Sequence, residues 1–330
     1  LIAHLRTHPD TDPVDLGWSL ATTRTALEHR AVVLATDLDQ ATAALTALSE
    51  GQPHPSLVTG ETGTDGKTVF VFPGQGAQWA GMGAQLLQTS PVFAARLNEC
   101  AEALAPYTDW SLIDVITGAP NAPSLERVDV LQPTTFAIMV SLAALWQANG
   151  IHPDAVIGHS QGEIAAACVA GHLSLTTAAK IVALRSQTIA HHLTGRGGMM
   201  SVLTSREWVE EALAPWDGRL WIAAVNGPAS VSVSGDPDAL AEFGKTLSKA
   251  KIYRWQLPGV DFAGHSGHVT TIKDELHQVL DGVTASPGEV AWMSTVTADW
   301  ADPTHITTDY WYRNLHDTVR FHQATQALLH

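Results

Sequence analysis

Along most of this chain, short unbroken apolar runs alternate with longer stretches of helical periodicity. Residues 69–72 (VFVF) and 155–157 (AVI) have the length and content of buried strands, and each is followed by glycine and a helical pattern. Between them lies a strongly apolar helical stretch (TTFAIMVSLAALWQA), with Pro133 at its expected start and Asn149-Gly150 at its end. Past Gly171, Thr176 is the expected cap of a further helix containing residues 181–189. The period changes from residue 197. Residues 199–203 read as a strand, and Thr204 with Glu207 forms a capping-box pattern for a helix to residue 213. Strands at 221–225 and 231–234 follow, separated by the hairpin-type dipeptide Asn226-Gly227; a helix from Asp236-Pro237 and a strand at 252–257 complete the run. That β-α-β-β-α-β order is ferredoxin-like, and it interrupts a larger α/β pattern. The larger pattern resumes at Val260 with a loop at 262–265, a helix from Val269, a strand at 292–296 and a terminal helix after Asp317. Upstream, residues 1–50 read as a small α/β unit, with helices at 14–23 and 38–48 around a strand at 30–36. Residues 51–67, rich in Gly, Pro and Thr, read as a linker or surface loop.

The candidate chemistry centres on residues 154–170, DAVIGHSQGEIAAACVA. Gly158-x-Ser160-x-Gly162 sits between a strand and an Ala-rich helix, the context of a nucleophile elbow. Small residues on both sides are needed because the serine occupies a sharp, strained turn. The helix that follows directs its free N–H groups at the same point, favouring negative charge there. Arg185 is the second signal. It lies on the apolar stripe of its helix with Ile181, Val182 and Ile189, and a guanidinium buried there needs an anion. That anion is either a structural carboxylate or a carboxylate-bearing substrate.

Composition narrows the possibilities. The 330 residues carry a formal net charge of −15 and only 15% charged side chains, so no basic stripe exists to track a nucleic acid. No run of about 18 apolar residues marks a membrane span. The opening LIAHLRTHPD starts within a helical pattern, without Met and without the leader of a signal peptide, as a segment excised from a longer polypeptide would. Cys100 and Cys168 fall in helical patterns and read as small core residues in a reducing, cytoplasmic setting. His191-His192 is a weak metal signal, since adjacent helical residues point about 100° apart and no H-x-x-x-H follows; no metal is expected.

Four motifs then fall in one order: FPGQGAQWAGMG (72–83), GHSQGE (158–163), Arg185 and FAGHS (262–266). Together they resemble the malonyl-CoA:acyl-carrier-protein acyltransferases, specifically the acyltransferase domains of modular type I polyketide synthases. YWYRNLHDTVRF (310–321) resembles that family's C-terminal signature, and the first fifty residues resemble the linker from ketosynthase to acyltransferase. The fold so implied is an α/β-hydrolase-like large subdomain (67–196 and 258–330) with an inserted ferredoxin-like subdomain (197–257), preceded by the linker unit (1–66). The resemblance also implies site roles. Ser160 would be the acylated nucleophile and His265 its base, with the backbone N–H groups of Gln75 and Gln161 as the oxyanion hole. Arg185 would hold the substrate carboxylate. His159, Met199, Phe262, Ala263 and Gly264 would line the pocket and set selectivity, and a backbone carbonyl near Asn314 would orient His265. His316 departs from the arginine usual in relatives. The implied reaction moves an extender unit from acyl-CoA to the phosphopantetheine thiol of an acyl carrier protein, with a ketosynthase domain in the same polypeptide and no permanently bound cofactor.

Two further expectations concern outcome. In related domains HAFH at 262–265 accompanies malonyl and YASH methylmalonyl selectivity. Phe262-Ala263-Gly264-His265 matches neither, while Trp79, Gln161 and RVDVLQ (127–132) resemble the α-substituted class. Gly264 therefore points to a 2-alkylmalonyl unit, ethylmalonyl or longer ahead of methylmalonyl. The rival is a serine thioesterase or other hydrolase on the same elbow, which calls for an acid behind the histidine and has no use for Arg185.

Overall fold

The computed structural model describes residues 1–63 and 66–329; Thr64 and Asp65, inside the stretch read as a linker, and His330 lie outside the described residues. Two compact units emerge, Leu1–Gly66 and Lys67–His330. In the first, helices α1 (Ile2–Thr7), α2 (Pro13–Thr23) and α3 (Leu38–Ser49) accompany strands β1 (His29–Val33) and β2 (Leu57–Glu61). The two strands pair antiparallel from His29↔Glu61 to Val33↔Leu57. The stretch read as a linker or surface loop therefore contains a strand, because Leu57-Val58-Thr59 finds a complementary edge that no local pattern announces.

The second unit opens with β3 (Val69–Phe72), then α4 (Ala84–Thr89), α5 (Pro91–Leu104), α6 (Leu112–Thr117) and α7 (Val128–Ala148). Next come the elbow strand β4 (Ala155–Gly158), α8 (Gly162–Val169) and α9 (Leu175–His192). Helix α7 begins five residues before Pro133, which sits inside it. Val128, Val130 and Leu131 are buried, and their packing holds the first turns despite the backbone bond that proline cannot make. By length and hydropathy α7 is capable of crossing a membrane, but 78% of its most apolar window is buried in this unit. Helix α9 is capped by Ser174, whose hydroxyl accepts from Thr177 N at 3.0 Å, rather than by Thr176.

The inserted layer comprises β5 (Gly198–Val202), α10 (Arg206–Leu213), β6 (Leu220–Gly227), β7 (Ser230–Gly235), α11 (Pro237–Lys249) and β8 (Arg254–Gln256). Its antiparallel sheet has the order β6-β7-β5-β8, which is the ferredoxin-like topology, and Phe243, Leu240, Val231 and Val233 fill its core. Ser205, not Thr204, caps α10. Asn226 and Gly227 belong to β6, with Gly227 paired to Ser230, so the turn falls at residues 228–229. The strand expected at 252–257 is confined to β8.

The chain returns through a 3₁₀ turn (Gly267–Ile272) into α12 (Lys273–Val279), and then β9 (Ala291–Ser294), β10 (Asp299–Trp300), α13 (Thr308–His316) and α14 (Phe321–Leu328). Strands β3, β4 and β9 run parallel in a sheet of order β10-β9-β4-β3, with Phe72 beside Gly158 at the end where the elbow begins. One large core joins the sheet to α5, α7, α8 and α9 through Phe93, Leu97, Phe136, Ile164 and Trp292. Cys100 and Cys168 are free and buried in it, and burial pushes their thiols up to about 12 and about 11.

Candidate active site

The elbow is made of two glycines that tolerate no side chain and one strained serine. A Cβ on Gly158 would lie 2.3 Å from Glu163 Cα, and one on Gly162 would lie 2.3 Å from the Phe72 carbonyl oxygen. Backbone thus meets backbone at the junction of β3, β4 and α8. Ser160 sits between the glycines at φ +53°, in the left-handed region that strains a residue with a side chain. That geometry projects its hydroxyl out of the turn.

Ser160 Oγ lies 2.8 Å from His265 Nε2, and His265 Nδ1 lies 2.9 Å from the Asp317 carbonyl oxygen. A carbonyl can only accept, so Nδ1 carries the proton and Nε2 accepts from the serine hydroxyl. Burial pushes this imidazole down to about 3, opposed by the Asp317 carbonyl and reinforced by nearby His159 and Arg185. It is therefore a neutral base at physiological pH. The orienting carbonyl belongs to Asp317 and not to Asn314: it lies just past the end of α13, where helix carbonyls lose their intrahelical partners. The Asp317 carboxylate faces Arg313 and His316, at 3.1 and 2.8 Å, so among the described residues no acid stands behind His265. His316 itself stacks on Tyr312.

Among the described residues, no acceptor takes the backbone N–H of Gln75 or Gln161. Their side chains are tied elsewhere, Gln75 Nε2 to the Gly259 carbonyl at 2.8 Å and Gln161 Nε2 to Thr135 Oγ1 at 3.1 Å. Both residues border the same cavity as Ser160, about 290 Å³ in volume. Two free donors beside a nucleophile suit a developing oxyanion.

The cavity's other wall comes from the inserted sheet: Met199, Ser201, Asn226, Ser232 and Trp255. Asn226 Oδ1 accepts from His159 Nε2 at 2.8 Å, bridging the two subdomains beside the nucleophile. Burial lowers the His159 pKa, partly opposed by that bond. Phe262 and Gly264 line the cavity, whereas Ala263 does not and accepts from Ser266 Oγ instead. Phe262 occupies the room expected from Gly264. A Cβ at position 264 would stand 3.0 Å from the Phe262 ring, so the missing side chain is replaced by an aromatic wall. Trp79 lies apart, on a separate apolar cavity between β3 and α7.

Arg185 is 1% exposed and is not among the lining residues. Its partners are two neutral amides: Nη1 donates to Asn314 Oδ1 at 2.5 Å, and Nη2 reaches the cavity-lining Gln132 only at 3.4 Å. Nε is buried without a partner. Burial pushes the guanidinium down to about 10, with the charge of Glu163 opposing. The salt-bridge alternative for Arg185 therefore fails at close range, and the group keeps donors to spare. Sequence reading passed over Asn226, Trp255, Asp317 and the role of Glu163, and took Gln132 only as the end of the RVDVLQ motif. Glu163 closed the quoted GHSQGE motif and Asn226 carried a turn signal, but the contacts of both form only across the fold.

Residues 69–330 match the family model for the acyl transferase domain. The chain is 50% identical over 329 residues to polyketide synthase GfsA and 54% identical over 316 residues to polyketide synthase GfsB, both of Streptomyces halstedii. These matches cover 100% and 96% of the chain but only 4% and 6% of those relatives. The crystal structure of the acyltransferase domain from module 8 of the salinomycin polyketide synthase superposes with a TM-score of 0.92 at 48% identity, covering 99% of this chain and 77% of that one.

Proposed function

Because the chain belongs to the acyl transferase domain family, in the form found within modular polyketide synthases, we propose that it loads an α-substituted malonyl unit from coenzyme A onto Ser160 and passes it to the phosphopantetheine thiol of an acyl carrier protein. The observation that carries this reading is the Ser160–His265–Asp317 relay beside a buried guanidinium whose hydrogen-bonding capacity is not filled.

In the first half-reaction His265 Nε2 takes the Ser160 proton as Oγ attacks the thioester carbonyl carbon. The carbonyl oxygen, now negative, meets the N–H groups of Gln75 and Gln161. The C–S bond breaks, and the imidazolium returns the proton to the departing sulfur. The second half runs in reverse with the carrier thiol as nucleophile. The substrate carboxylate displaces Gln132 from its long contact and takes a charge-assisted bond from Arg185. For the α-substituent, 2-alkylmalonyl is favoured, ethylmalonyl or longer before methylmalonyl, with the Phe262 ring rather than the space at Gly264 as the limiting wall. A ketosynthase domain on the same polypeptide and a cytoplasmic setting accompany this reading. A committed hydrolase is disfavoured because a backbone carbonyl stands where its acid would be.

Intact-mass measurement after incubation with malonyl-, methylmalonyl-, ethylmalonyl- and butylmalonyl-CoA tests the reading. One acyl adduct is expected, absent from Ser160→Ala and discharged faster by an acyl carrier protein than by water. Normal labelling of Ser160→Ala, or discharge indifferent to the carrier, would refute it.

A further inference from the structure

Glu163 is fully buried at the start of α8, and it is the charged group that the proposed chemistry leaves unused. Its Oε1 accepts from Tyr310 OH at 2.8 Å and Thr295 N at 2.9 Å; Oε2 accepts from Asn314 Nδ2 at 2.6 Å and Thr295 Oγ1 at 3.4 Å. The Asn314 amide is the connection. Its oxygen accepts from Arg185 and its nitrogen donates to Glu163, so its negative end faces the cation and its positive end the anion. Asn314 Nδ2 also reaches the Ser160 carbonyl at 3.2 Å, tying this chain of contacts to the elbow.

A buried guanidinium needs a counter-charge, yet a direct fork onto a carboxylate would consume the donors that a ligand carboxylate requires. Placing the anion one amide away meets the first need without defeating the second. The unpartnered Nε and the long Gln132 contact show which donors remain. We propose that Glu163 is the counter-charge of Arg185, held off by Asn314, and that a substrate carboxylate at Arg185 is coupled to uptake of a proton by Glu163.

The inference rests on the proposed role of Arg185. A second anion arriving there would leave two negative charges around one positive charge in a region closed to water, and like charges raise each other's proton affinity. The proton comes from solvent and binds a carboxylate oxygen. Tyr310 OH can receive it as a hydrogen bond by turning its own proton toward Ser294 Oγ, which is 2.6 Å away. Among the described residues, the charged and titratable groups that bear on Glu163 are Arg185 on α9 and Tyr310 on α13, with Arg313 acting on Tyr310 and His265 facing Arg185 from the loop before α12. Burial already lifts Glu163 to about 7, against the lowering by its donors, so the coupling falls in an accessible pH range. His265, at about 3, titrates well below it. Glu163 touches no reacting atom and is a positioning residue.

The test compares methylmalonyl-CoA with propionyl-CoA, which lacks the carboxylate, in acylation of the intact chain from pH 6 to 8.5. Proton uptake of one pKa unit's strength makes KM for methylmalonyl-CoA rise roughly tenfold as pH climbs through the Glu163 range, with kcat little changed. KM for propionyl-CoA should stay flat. Glu163→Gln should hold the methylmalonyl KM flat across the range, and Tyr310→Phe, which removes one donor to the carboxylate, should move the rise to higher pH. Parallel KM profiles for the two thioesters in the wild type overturn the coupling, whatever the fate of the variants; so does a rise that survives in folded Glu163→Gln. If Arg185→Ala still penalises methylmalonyl-CoA alone, the anchoring role stands even then; if it penalises both thioesters equally, that role itself falls.

Discussion

Gly264→Ala isolates the determinant of pocket size. The new Cβ would sit 3.0 Å from Phe262 Cε2, 3.7 Å from Cδ2 and 3.9 Å from Cζ. Ordinary contact begins near 3.4 Å, so the ring must retreat by about 0.4 Å. Gly264 is not in the left-handed region, so the methyl adds no backbone strain of its own. Phe262 is 5% exposed and packed with Val260, Tyr312 and Leu315, and the side with room is the cavity. An off-rotamer ring costs ~0.5–1.5 kcal/mol, and the stiffer unfolded chain returns ~0.4–1 kcal/mol, so stability should hold nearly constant. Selectivity should not. A full methylene in such a pocket is worth ~1–3 kcal/mol, and this shift removes less than that. The ratio of kcat/KM for ethylmalonyl-CoA over malonyl-CoA should therefore fall about 3–10-fold, and that for butylmalonyl-CoA further. Competition among the four malonyl thioesters, read as acyl-enzyme masses, measures it; Gly264→Phe should push the preference on toward malonyl. Unchanged ratios in a protein with a lowered Tm would mean the ring moved into the core, and the wall lies elsewhere.

His265→Ala should slow acylation ~10²–10⁴-fold without changing binding of the thioester, measured as single-turnover rate against KM. In the wild type the imidazole stays neutral down to low pH, so propionyl-CoA acylation should show no loss between pH 7 and 5; a fall centred near pH 6.5 would contradict the buried-base assignment. Arg185→Ala should cost methylmalonyl-CoA about 10–100-fold in kcat/KM and spare propionyl-CoA, and equal losses would make Arg185 purely structural. Asn226→Ala removes the partner of the half-buried His159 across the cavity and should cost roughly 0.5–1.5 kcal/mol of stability, the net worth of one hydrogen bond, seen as a lower urea midpoint. For stability against pH, His265 (about 3, ordinarily 6.5) disfavours folding as pH falls below 6.5, while Glu163 (about 7, ordinarily 4.5) favours it as pH falls from 7 toward 4.5. Glu163→Gln removes the favourable part and should steepen the loss of Tm on acidification; an unchanged slope would refute the sign.

Local chemistry wrote much of this protein into its sequence. Apolar runs and glycines specify β3, β4 and the elbow, because backbone contacts as close as those at Gly158 and Gly162 exclude every other residue type. The period change at residue 197 marks the inserted ferredoxin-like layer, and the helical stripe of α9 is enough to show that Arg185 is buried. Tertiary structure decided what no short-range rule can reach. Residues 57–61 become a strand only because β1 is present, and α7 runs through Pro133 only because its first turns are buried. Asp317 orients His265 because the end of α13 lies beside it, 52 residues away in sequence. The ring of Phe262 lies against the space that a glycine two residues on leaves open, a wall that the glycine alone does not reveal. Asn314 joins Arg185 to Glu163 across 129 and 151 residues of chain, and such a contact depends on side chains meeting in three dimensions, a relation that periodicity and spacing do not encode.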